Sequence, residues 1–140
     1  EADGALANPE ELGWFNRMIR NQIANGREPE PCRVDVDLAD NQVLDNILSG
    51  LQVIHLPGHS HGQVGYYVPQ QKLLIGGDVM MYLFGAMRMP IRAVSPDWTA
   101  VKQSIRRVAD MDVEILCLGH GTPLYNANPI IQRFADKVTG

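Results

Sequence analysis

Three segments of this 140-residue chain share one grammar: an apolar strand, then glycine, then a residue able to bind a metal. They are Leu56-Pro57-Gly58-His59-Ser60, Leu74-Ile75-Gly76-Gly77-Asp78 and Leu116-Cys117-Leu118-Gly119-His120-Gly121. Each puts an imidazole or a carboxylate at the C-terminal end of a buried strand. Glycine there lets the backbone turn sharply and lets neighbouring loops crowd together. Loops at strand ends are where α/β proteins assemble their sites. Neutral imidazole and carboxylate suit zinc, and also manganese or iron. Any one segment alone is weak. A lone histidine after a glycine turn is more often a surface or capping residue, and a lone Gly-Asp is more often a turn. All three in one order are hard to explain as coincidence.

The rest of the chain reads as elements that would hold such strand ends. Three helix starts each pair a capping residue with proline: Asn8-Pro9-Glu10-Glu11, Ser95-Pro96 and Asn128-Pro129. Leu12, Phe15, Met18, Ile19 and Ile23 then share one helical face. Trp98, Val101, Ile105 and Val108 share another, and Ile130, Ile131, Phe134 and Val138 are the apolar residues of the third helix. Between them, Arg33 to Leu38 alternates apolar and polar residues and predicts a strand, as does Leu51 to His55. Gly65 to Val68 and Lys72 to Ile75 flank Pro69-Gln70-Gln71 and read as a hairpin, and Val113 to Leu118 is an apolar run that stops at Gly119. Helix, strands, helix, strand, helix fits an α/β unit: a sheet with helices on one face and no second layer beyond it.

Composition narrows the function. Hydrophobic residues make up 45% and charged residues 20%, which is ordinary for a folded domain. The net charge of −4 argues against nucleic acid as the main partner, since phosphate binding is driven by clustered Lys and Arg. No stretch is long and apolar enough to span a bilayer, and no signal peptide is seen. The chain opens at Glu1 without an initiator methionine, so a natural start and any targeting segment are expected to lie upstream. The two cysteines, Cys32 and Cys117, are far apart and form no CxxC pair. A reducing, cytoplasmic setting is the expectation.

The three segments make the chain recognisable. Pro57-Gly58-His59-Ser60 followed by Gly62 looks like the PGHTxG motif of the metallo-β-lactamase superfamily. Leu74 to Asp78 resembles its hydrophobic-GD motif, and Leu118-Gly119-His120-Gly121-Thr122-Pro123 resembles its C-terminal GHG motif. The resemblance runs from about Asp35 to the C-terminus. It implies the C-terminal half of an αβ/βα sandwich, a partial domain over residues 1–140 with a mixed sheet and helices on one face. It also implies roles. His59 would ligate a first metal, Asp78 would bridge two, and His120 would ligate the second. The ions would be zinc, with manganese or iron as alternatives. A metal-activated hydroxide would attack an ester, thioester, lactone or phosphoester in a small-molecule substrate. Asp78 is the catalytic candidate.

The family's other signature, HxHxDH, is absent. The four histidines are His55, His59, His61 and His120, and none forms that pattern. A catalytic zinc usually takes three protein ligands. Three donors split between two positions leave both incomplete. The sequence therefore looks like half a fold with part of a site, and its exposed inner sheet face would need the missing N-terminal half or a second copy. Two other readings stand beside the hydrolase: a non-catalytic fragment or interaction module, and a mononuclear iron oxygenase of the same fold.

The remaining polar residues have plainer readings. His55 reads as a paired strand histidine, or else a residue that orients a ligand. His61 reads as an exposed loop residue, Cys117 as core packing, Cys32 as an unactivated loop cysteine and Trp98 as a helix-to-sheet anchor. The stretch from Met80 to Met89 is rich in methionine and aromatics. It suits either a substrate cleft or packing, with Tyr82 as a candidate substrate contact.

Overall fold

A computed structural model describes residues 8, 10, 12–25 and 33–140. Pro9, Glu11 and Cys32, and the side chain of Ile23, lie outside the described residues. The first helix, α1 (Trp14–Ala24), begins later than the Asn8-Pro9 signal predicts. Asn8 Oδ1 instead accepts from the Glu10 amide in a local turn, and the Gly13 carbonyl accepts the first helical bond, from Arg17. Leu12 precedes the helix and buries itself against Ala93, with Ile19 packing beside them. Phe15 and Met18 stay exposed.

The alternation between residues 52 and 77 folds as an antiparallel meander of β1 (Gln52–His55), β2 (Val64–Val68) and β3 (Leu73–Gly77). The predicted Pro69-Gln70-Gln71 turn is a single 3₁₀ turn, closed by Lys72 at φ 49° with its N–H donating to the Pro69 carbonyl. A hairpin of β4 (Met81–Leu83) and β5 (Ala86–Arg88) follows. Its two-residue loop, Phe84-Gly85, has φ values of 54° and 74°, the two positive φ values that a type I′ turn requires. The chain then crosses through α2 (Trp98–Ala109) to β6 (Ile115–Leu118), which pairs parallel with β3. β7 (Leu124–Tyr125) pairs antiparallel with β6, and α3 (Asn128–Thr139) ends the chain. The sheet order is β1-β2-β3-β6-β7.

Period-two alternation gives the sheet two unlike faces. Ile54, Leu74, Leu116 and Leu124 point to one side, where Val101, Ile105 and Val108 of α2 and Ile131 and Ala135 of α3 complete the main core. Ile105 is fully buried, and such a side chain contributes about 1.5–3 kcal/mol. Both helices lie on this face, as the element order predicts. Their caps differ from expectation. Asp97, not Ser95, caps α2, its Oδ1 accepting from the Ala100 amide at 2.8 Å. The helix opens two residues later than the Ser95-Pro96 signal predicts, and the Ser95 hydroxyl bonds to the Ile91 carbonyl behind it. Asn128 lies inside α3 rather than capping it, and the preceding Ala127 gives no side-chain cap.

The other face is only partly covered. Leu44 and Leu51 pack on Val53 and Val68 in a small second cluster. Beyond it runs an apolar groove of about 460 Å³ lined by Val36, Leu38, Ile47, Leu48, Tyr66 and Ile75, among others. Ile75, in the middle of the sheet, is 48% exposed. Cys117 points to this open face and is half-buried, because the alternation that sends Leu116 into the main core sends its neighbour away from it. The predicted strand over Arg33 to Leu38 does not form. Its alternation is real, but among the described residues no ladder partner lies beside it, and Val34 and Val36 are exposed. Among the described residues, no helix is long and apolar enough to cross a membrane.

Candidate metal centre

Two successive antiparallel steps return β3 to the direction of β1, and β6 is parallel to β3. The C-terminal ends of β1, β3 and β6 therefore share one edge of the sheet. Each runs directly into one of the three glycine-bearing segments. Sheet topology alone thus brings His59, Asp78 and His120 together.

Local backbone fixes each one. Gly58 sits at φ 127°, and a β-carbon there would collide with the Val101 backbone at the start of α2. This loop is tied to α2 by the Asp97 amide donating to the Gly58 carbonyl and by Ser104 Oγ donating to the Pro57 carbonyl at 2.7 Å. Asp78 follows a register shift between Ile75 and Gly77 in the β3–β6 ladder. Such a bulge bends a strand and re-aims the next side chain. The Gly119 amide donates to the Gly77 carbonyl at 2.8 Å, and a β-carbon at 119 would overlap the Asp78 carboxylate. His120 is held from β4, whose Tyr82 amide donates to the His120 carbonyl. Gly121, at φ 107°, lies against the Tyr82 carbonyl where no side chain fits.

His59 Nε2 lies 3.6 Å from Asp78 Oδ2, and His120 Nε2 lies 3.6 Å from Asp78 Oδ1. Each carboxylate oxygen faces one imidazole. Both separations are too long for hydrogen bonds. Asp78 Oδ1 is nonetheless buried and has no hydrogen-bond partner. A buried carboxylate oxygen left this way is costly unless a cation takes it up. Zinc bonds of about 2.0–2.2 Å at tetrahedral angles put two donors roughly 3.4 Å apart. The donor set and its spacing therefore fit metal ions, one on each side of Asp78. Among the described residues, no group of three or more His, Cys, Asp or Glu side chains is placed to hold an ion. The two histidines stand at different oxygens, so each position has two donors from this chain.

The three residues open into a pocket of about 250 Å³ walled by Met81, Pro90, Ile91 and Val94. Sequence reasoning singled out none of Pro90, Ile91 or Val94, whose order gives no periodic or motif signal. Tyr82 lies outside this lining, and its ring packs against the main core. Of the Met-rich stretch, Met80 is fully buried, Met87 and Met89 pack on the core, and Met81 faces the pocket. His55 is half-buried, and its Nε2 donates to the His61 carbonyl at 2.9 Å. His61 is exposed. A further residue enters from behind: Ser95 Oγ lies 3.2 Å from His59 Nδ1.

A mixed sheet with helices on one face, and a histidine–carboxylate–histidine set at its strand ends, defines a class: an α/β unit with its polar site at the ends of parallel strands. The chain belongs to the metallo-beta-lactamase superfamily, whose family profile it matches over residues 3–120. It is 40% identical over 53 residues to a hydroxyacylglutathione hydrolase of Ectopseudomonas mendocina, covering 38% of this chain and 20% of that protein. It is 26% identical over 97 residues to a probable metallo-hydrolase, YqjP, of Bacillus subtilis, covering 64% and 30%. Among solved structures it resembles TTHA1623 in a di-iron-bound form, with 26% identity, a TM-score of 0.59, and 80% and 54% of the two chains covered. It also resembles a metallo-beta-lactamase superfamily protein of Sulfolobus tokodaii, with 17% identity, a TM-score of 0.62, and 96% and 54% covered. The latter likeness shows the fold alone. The chain spans 20% and 30% of the length of these two curated relatives.

Proposed function

We propose that this chain supplies the later ligands of a two-metal hydrolase centre acting on a thioester. The observation that carries this reading is Asp78, which turns one oxygen to each histidine while its buried Oδ1 has no other partner. His59 and Asp78 would hold one ion, and Asp78 and His120 the other. When bound, divalent ions, zinc in this reading, supply the charge that brings a water's pKa towards neutrality and polarises a carbonyl. Met81, Pro90, Ile91 and Val94 give the acyl part of a substrate an apolar wall and keep bulk water from it. The thioester choice rests on the hydroxyacylglutathione hydrolase relatives, whose named substrate class is a glutathione thioester.

Two donors per position do not complete a zinc site. The remaining ligands are assigned to another half of a longer protein, seated on the open sheet face. The test is Asp78→Ala in the full-length protein, assayed with a hydroxyacylglutathione. Hydrolysis is expected to fall to background together with bound metal. Retained turnover would remove Asp78 as the bridge.

The exposed apolar groove favours a second reading, in which the chain is a non-catalytic module whose open face binds another copy of itself. A stable, metal-free dimer of the 140-residue chain, with no hydrolysis by the full-length protein, would establish that reading instead.

A further inference from the structure

Ser95 is fully buried, and its hydroxyl has two neighbours. It donates to the Ile91 carbonyl at 2.8 Å, and His59 Nδ1 lies 3.2 Å away. A serine hydroxyl has one hydrogen and otherwise only accepts. A carbonyl oxygen can only accept, so the shorter contact takes that hydrogen. The hydroxyl then meets His59 as an acceptor, and His59 Nδ1 must carry the proton. In a neutral imidazole this leaves Nε2 bare, on the side facing Asp78 Oδ2.

We infer that Ser95 is a positioning residue that fixes His59 in its Nδ1–H form, with Nε2 ready to accept a cation. The inference rests on the metal-site reading above, which needs Nε2 unprotonated. Ser95 is itself held in place. Arg92 Nη1 donates to the Ser95 carbonyl at 2.8 Å, and the Ser95 amide donates to the Arg92 carbonyl. The Arg92 guanidinium lies over the Trp98 ring at 5.0 Å. The segment before α2 thus forms a rigid frame behind the ligand. Partners of this kind set both the tautomer and the direction of a ligating histidine.

The experiment is nitrogen NMR of the imidazoles in the metal-free full-length protein, at a pH where histidine is neutral, comparing wild type with Ser95→Ala. Wild type should show His59 protonated on Nδ1, and Ser95→Ala should shift the population to Nε2–H. Zinc affinity, read by chelator competition, should fall about 10–100-fold in the variant. Ser95→Cys, which keeps the size but accepts hydrogen bonds poorly, should lie on the same side as alanine and serves if Ser95→Ala does not fold. Nε2–H in wild type, or an unchanged tautomer in a folded variant, would overturn the inference. If the tautomers behave as expected but wild type binds no zinc, the metal-site reading fails while the role of Ser95 stands.

Discussion

Gly119 stands against the Asp78 carboxylate so closely that a β-carbon at position 119 would occupy the space of Asp78 Oδ1. The obstruction is the end of a side chain, not backbone, and Gly119 is not among the glycines at positive φ. Gly119→Ala should therefore fold and leave the melting temperature within a few degrees of wild type. It should move the carboxylate off its two-sided position. In the full-length protein we expect about a 100-fold loss of kcat/KM, the scale of a displacement near 1 Å, together with weaker metal binding.

Gly58 makes the opposite case. Its β-carbon would meet the backbone of Val101, and its φ of 127° disfavours any side chain. Neither the helix start nor the loop can yield cheaply. Gly58→Ala should cost about 1–3 kcal/mol of stability, seen as a lower urea midpoint, as well as activity. A variant of unchanged stability would show that α2 can slide away from the loop.

Asp40 ties the loop before β1 to α2. Its partial burial opposes ionisation, but the Arg107 hydrogen bond, the His55 amide, the Arg107 charge and the Asn41 amide outweigh it and hold its pKa below the usual 3.8. The pair is half-exposed, Arg107 Nη2 lying 3.0 Å from Asp40 Oδ1. A depressed carboxylate stabilises fully above its unfolded value, and the contribution is lost as pH falls through the lower folded one. Asp40→Asn should thus cost no more than about 1 kcal/mol of stability at pH 7, given solvent screening, read as a lower urea midpoint. The difference from wild type should shrink below about pH 4. An equal offset at pH 7 and pH 3 would exclude the charged pair as its source.

Ile75 tests what covers the open face. It is 48% exposed in this chain. If a further half of the protein seats there, Ile75→Asp buries a charge without a partner and should cost about 3 kcal/mol or more in the full-length protein. The same change in the 140-residue chain should stay within about 0.5 kcal/mol, as at ordinary exposed positions. Equal small effects in both would mean that the face remains open to solvent.

Much of this arrangement was legible in the residues. Val64–Val68, Leu73–Gly77 and Ile115–Leu118 announce themselves by apolar runs that stop at turn residues, and His59, Asp78 and His120 by the glycines before them. The features that escaped carry no motif or periodic signal of their own, or one that the fold does not follow. Ser95 resembles a helix cap, but α2 starts only at Trp98, which puts Asp97 at the capping position. The Arg33–Leu38 alternation records an amphipathic segment, but pairing needs a neighbour that no local pattern reveals. The β4–β5 hairpin turns at Phe84-Gly85, where a bulky aromatic holds a positive φ better suited to Asn or Gly, so the usual signal is missing.

The parallel pairing of β3 with β6 has a consequence for how such a protein can diversify. Asp78 and His120 are set by adjacent strand ends, and the whole excursion between them, hairpin and helix together, hangs outside that register. Three of the four pocket-wall residues, Pro90, Ile91 and Val94, sit in that excursion clear of any sheet strand. In the proposed reading, changes confined to Pro90, Ile91 and Val94 would retune which acyl group is accepted, whereas exchange of the whole stretch would also replace Tyr82 and Ser95, which hold His120 and His59. In the hydrolase reading proposed above, the same stretch would thus both shape the substrate wall and, through Tyr82, Ser95 and Asp97, keep the two histidines in place.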